Sequence, residues 1–130
     1  MKKLLIFTVI LSCAALLGCS KDAEINSFIT EFEAATQEIT TKLDAGDIEA
    51  ARKTFDDKKE SLKTSWDSIK GARGFQVSKE TQTSLTESVT KNVTALGVAA
   101  GKAKIRSMSD KDKTEEIDKL LNEYRDIFQM

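Results

Sequence analysis

Few side chains in this sequence could carry covalent chemistry, and the two that stand out are Cys13 and Cys19, close together near the amino terminus. Histidine is absent from all 130 residues. Without it no Ser-His or Cys-His nucleophile pair can be assembled, and the commonest transition-metal ligand is missing. Asp56-Asp57 and Asp110-Lys111-Asp112 lack the further oxygen ligands and central glycine of a calcium loop. Glu31 and Glu38 fall on helix faces expected to be solvated, with no sign of the cleft that paired carboxylates need for glycoside chemistry. A formal net charge of −1 supplies no basic excess for phosphate backbones, which excludes a general nucleic-acid binder. The expectation is a protein that is not an enzyme and holds no metal and no cofactor.

The interest of Cys19 lies in its surroundings. Met1-Lys2-Lys3 is a short basic start, and Leu4 to Leu17 is a mostly apolar run of 14 residues. A basic n-region followed by an apolar h-region ending in small residues describes a secretory signal peptide. The run is shorter than the ~20 residues that span a bilayer as a helix, so a cleaved leader is expected in preference to an uncleaved anchor. Leu16-Leu17-Gly18-Cys19 closes the run, and this segment resembles the lipobox of bacterial lipoproteins. The resemblance covers residues 1–19 only. It implies that a signal peptidase recognises Leu16, Leu17 and Gly18 and cuts before Cys19. It also implies that the Cys19 sulfur carries diacylglycerol and that the new amine carries an acyl chain such as palmitate.

Lipidation has a simple physical consequence. One acyl chain holds a protein at a bilayer only marginally, and two or more hold it stably, at about 0.8 kcal/mol for each buried methylene. Cys13 leaves with the leader and Cys19 becomes a thioether, so the mature chain is expected to have no free thiol and no disulfide. Ser20, directly after the lipidated cysteine, resembles a signal for release to the outer membrane. The expected address is the bacterial cell envelope, at the outer membrane facing the periplasm. There the glycosylation triplet Asn92-Val93-Thr94 has no relevance.

The rest of the chain must supply the domain. It contains no proline and six glycines, which favours a few long helices over many short strands. Ile25, Phe28, Ile29, Phe32, Ile39 and Leu43 recur at helical spacing, Gly46 supplies a stop, and Asp47 is a suitable N-cap for the next helix. Ile48, Ala51, Phe55, Leu62, Trp66 and Ile69 form a second stripe, ended by Gly71 and Gly74. Ser78 caps a third stretch bearing Leu85, Val89, Val93 and Leu96, then Ala100 and Ala103. That stretch is rich in threonine and weak in helix propensity, and its length favours helix over strand. Asp112 followed by Glu115 has capping-box spacing, and Ile117, Leu120, Leu121, Tyr124, Ile127 and Phe128 make the clearest stripe in the chain. The reading is an all-α fold, a small antiparallel up-down bundle of four helices with three as the runner-up. Residues 1–18 are the leader, 19–24 the lipidated terminus and tether, and 25–130 the bundle.

Three features offer contact chemistry. Gly71-Ala72-Arg73-Gly74-Phe75 places an arginine and a phenylalanine between glycines, as a recognition loop would, although Phe75 reads first as a plug for one end of the bundle. Gly97 and Gly101 have GxxxG spacing, read first as close approach to a neighbouring helix, with a dimer contact as the alternative. Charge is uneven. Residues 22–49 carry eight acids against Lys42, and residues 70–106 carry seven bases against Glu80 and Glu87. The plainer reading is attraction between helices, with Lys102, Lys104 and Arg106 complementing a helix C-terminus. The sharper reading makes Arg73, Phe75, Lys102, Lys104 and Arg106 contacts for a partner. The functional expectation is a membrane-anchored envelope lipoprotein that acts by contact with another envelope protein. The alternative is a helical module holding a lipid or small amphiphile between its helices.

Overall fold

The computed structural model describes residues 20–72 and 74–129. Among the described residues there are four helices, α1 Asp22–Asp44, α2 Ile48–Ile69, α3 Lys79–Arg106 and α4 Lys111–Phe128, and a 3-10 turn at Gly74–Gln76 between α2 and α3. There is no strand among the described residues. This is the expected four-helix bundle, and the threonine-rich third stretch is helix along its 28 residues.

Local chemistry sets the limits of each helix. Gly46 adopts φ +77°, the left-handed conformation that releases α1 into its turn. Asp47 then accepts the Ala50 N–H at 3.0 Å, and Ser78 accepts the Thr81 N–H at 3.1 Å, both as expected of N-caps. For α4 the expected cap is corrected. Asp110, not Asp112, accepts the Lys113 N–H, at 3.2 Å. The Thr114 hydroxyl stabilises this earlier start by donating to the carbonyls of Ser107 and Asp110, 3.1 Å each. Asp110→Ala is therefore expected to lower stability by about 1 kcal/mol, and Asp112→Ala by only a few tenths. Urea unfolding of the two variants side by side checks this.

The helices alternate in direction, but the bundle is not wound in simple sequence order. α1 packs against α2 and α3, α2 against α4, and α4 against α3. α2 and α3 sit on a diagonal and are joined by the longest linker. Asp22 meets Ser78 and Glu33 meets Ser88, so α1 and α3 run parallel. Arg52 meets Glu123, and Trp66 meets Phe128, so α2 and α4 also run parallel.

Aromatic rings fill the interior between α1, α2 and α4. Phe32 lies 5.6 Å from Phe28, 5.5 Å from Phe128 and 6.3 Å from Tyr124, centroid to centroid. Trp66, half-buried at the rim, lies 5.6 Å from Phe28. Such offset and edge-on arrangements add to the burial of the rings themselves. The other diagonal, α1 to α4, is closed by one buried polar contact, Thr36 Oγ1 to the Tyr124 hydroxyl at 2.6 Å. Burial pushes the Tyr124 phenol well above its usual range, against the opposing effect of the Thr36 hydrogen bond.

The expected stripe of α3 is buried in the second half of the helix, at Leu96, Ala100 and Ala103, and is turned to the flank in the first half. Thr81, Ser88, Asn92, Leu96, Ala99, Ala100 and Ala103 are buried, while Leu85, Val89 and Val93 are half-buried flanks. Ser88 donates to Glu33 Oε1 at 2.8 Å and Asn92 to the Ser88 carbonyl at 2.8 Å, so the buried polar groups are satisfied. The run of alanines lets the second half of α3 approach α1 closely.

Candidate functional site

The expected contact residues separate to opposite ends of the bundle. Phe75 is 89% exposed on the linker between α2 and α3. It does not plug the bundle end, because Phe28, Trp66 and Phe128 already fill the interior there. Lys102, Lys104 and Arg106 lie at the far end, on the last turns of α3. Arg73, Leu16, Leu17, Gly18 and Cys19 lie outside the described residues.

The basic cluster is largely engaged. Lys104 Nζ donates to Asp118 on α4 at 2.7 Å. Arg106 Nη1 donates to the Asp44 carbonyl at 2.6 Å. That carbonyl ends α1, so Arg106, a basic residue in the last turn of α3, also complements the C-terminus of α1. Lys102 points outward, exposed. Asp22, Glu31 and Glu33 of α1 are engaged as acceptors. Glu31 accepts from the hydroxyls of Ser61 and Ser65, the latter at 2.7 Å. Glu31 is thus half-buried between α1 and α2, which corrects its placement on a solvated face. Asp22 Oδ1 accepts the Ser78 N–H at 2.9 Å. Between α1 and α3 the polar contacts thus run from the Ser78 N–H, the Ser88 hydroxyl and the Arg106 guanidinium to oxygens of α1.

Gly97 and Gly101 are corrected as well. A Cβ at either position would meet nothing within 4 Å, so no bundle helix approaches them and both lie on the outer face of α3. They share that face with Val98, 53% exposed, and Ile105, 69% exposed, and Met108 continues it at 79%. Lys91 and Lys102 fall beside this row at helical spacing. Sequence reasoning missed the row. Its signal is the i, i+7 pair Val98 and Ile105 on the side opposite the buried alanines.

A groove of about 660 Å³, open to solvent, lies between the first turns of α2 and α4. Its principal cation is Arg52, which pairs with Glu123 at 2.8 Å, Asp56 at 3.2 Å and Glu116 at 3.4 Å. The guanidinium also lies 5.6 Å from the Phe55 ring centroid. Burial draws the Arg52 pKa down, and the Glu123 and Asp56 partners more than reverse this. Burial presses Asp56 upward, and Lys59 with Arg52 outweighs it, holding that carboxyl below its usual range. Glu116 and Glu123 on α4 both pair with Arg52 on α2, so this arginine braces the two parallel helices across the groove.

Among the described residues, no group of acids could hold a metal ion, and no helix is long and apolar enough to cross a membrane. Comparison of the chain with known protein families, with curated proteins and with solved structures finds no match.

Proposed function

We propose that this protein is a lipid-anchored lipoprotein of the bacterial envelope and acts through contacts made by its helical bundle, without catalysis. The observation that carries the reading is the placement of Leu16-Leu17-Gly18-Cys19 immediately before an ordered bundle. Only Ser20 and Lys21 separate Cys19 from the first residue of α1. A cut before Cys19 leaves the bundle whole and puts its lipids within two residues of folded protein. Anchoring then needs no membrane-spanning helix, because two or more acyl chains hold stably. The exposed apolar side chains Val98, Ile105 and Met108 support contact with another envelope protein, since apolar surface with basic neighbours is suited to a protein partner. A ligand cavity between the helices is the weaker reading: packed aromatic rings occupy the interior of the bundle, and the groove between α2 and α4 is charged and open.

Mass spectrometry of the amino-terminal peptide of the native protein tests the anchor. The expected peptide begins at Cys19 and carries diacylglycerol and an acyl chain. An unmodified terminus refutes the proposal. Crosslinking in whole envelopes tests the contact role, and there a ligand-free bundle joined to another protein is the expected product.

A further inference from the structure

We infer that Phe75 seats in the interfacial layer of the same bilayer that holds Cys19, so that the bundle stands upright on its linker end. The inference rests on the lipid anchor proposed above. Its starting point is where the chain outside the described bundle joins it. The Lys21 N–H donates to the Gln76 carbonyl at 2.9 Å, and Asp22 holds the Ser78 N–H. Those two bonds fasten the root of the tether to the 74–78 segment. Two residues of extended chain reach about 7 Å, so lipid on Cys19 brings headgroups to the level of that segment.

Phe75 adjoins Gln76 and is almost wholly exposed. A ring left in water at the end of the molecule that must face lipid has an interfacial site within reach, and phenylalanine gains by burying its apolar ring at the boundary of headgroups and acyl chains. Charge contributes modestly to this placement: Lys21 pairs with Glu24 and Lys70 with Asp67, at 2.9 and 2.6 Å, and Lys79 is exposed on the first turn of α3 beside the ring. Charge also acts against the alternative posture. The acids of α1 disfavour laying that helix along an anionic leaflet. The opposite end, with Met108, is about 40 Å away along the 28 residues of α3.

The test uses the lipidated protein purified from membranes and reconstituted in vesicles that contain brominated phosphatidylcholine. A fluorophore is placed by Gly74→Cys, where a side chain meets nothing within 4 Å, or by Met108→Cys at the far end. We expect bromolipid quenching at 74 and none at 108. Adding Phe75→Ser to Gly74→Cys is expected to lower the quenched population about tenfold, the order that burying one ring supplies. Flotation with vesicles and helical circular dichroism should not change. A label at 74 as unquenched as that at 108, on protein that floats, overturns the placement. Equal quenching with and without Phe75→Ser overturns it too, by assigning the depth to the tether alone. Protein that fails to float refutes the anchor first and the placement with it, an outcome distinct from floating protein with a dry loop.

Discussion

Exchange of Cys19 for serine is expected to remove the protein from its membrane as a mature form. A serine hydroxyl cannot become the thioether that carries diacylglycerol, and the proposed peptidase cuts only before the lipidated residue. Two fates remain. In one the leader stays in place, giving a product heavier by 18 residues whose 14-residue apolar run falls short of the ~20 needed to span. In the other a general signal peptidase releases the bundle as a free protein. The effect is large because anchoring accumulates along acyl chains at about 0.8 kcal/mol per methylene, which no surface contact of the bundle replaces. Envelope fractionation with immunoblotting reads both mobility and location. Processed protein of normal size still held at the membrane would contradict the lipobox assignment.

Phe32→Ala is expected to cost about 3–5 kcal/mol of folding stability, out of the ~5–15 typical of a domain. Phe32 is 1% exposed and contacts rings on both α1 and α4, so its removal opens a cavity among side chains that cannot all move in to fill it. For a domain of this size the melting temperature should fall by about 10–20 °C. Phe75→Ala is the matched control, since its exposed ring should change stability by no more than about 0.5 kcal/mol in solution. Thermal and urea unfolding of residues 20–130 measure both. A Phe32→Ala protein as stable as the control would mean that the ring cluster does not bear the core.

Periodicity reports helices well when large apolar residues keep to one stripe, as in α4. There Ile117, Leu120, Tyr124 and Phe128 are buried, with Leu121 and Ile127 as flanks. The caps Asp47 and Ser78 are legible for a similar reason, because an oxygen-bearing side chain before a stripe satisfies free N–H groups. α3 is legible as a helix, and its second half is legible in orientation through Leu96, Ala100 and Ala103. In its first half the buried Ser88 donates to Glu33, a partner on another helix that no local pattern records. Asp110 and Asp112 present the same side chain two residues apart, and Thr114 decides between them by bonding backward to Ser107. GxxxG spacing reports small size without reporting direction, so Gly97 and Gly101 could face either way. Phe75 is misplaced by sequence alone because a ring looks like core until the interior proves already occupied. The candidate contact residues on α3 are only half legible. Lys104 and Arg106 are in view, but their engagement by Asp118 and Asp44 is not.

The ring cluster joins positions 28 and 32 to positions 124 and 128. Synthesis delivers α1 first and α4 last, so during elongation the rings of α1 have no α4 to close on. The same sequence separation should make this bundle fold more slowly than helical proteins built from neighbouring contacts.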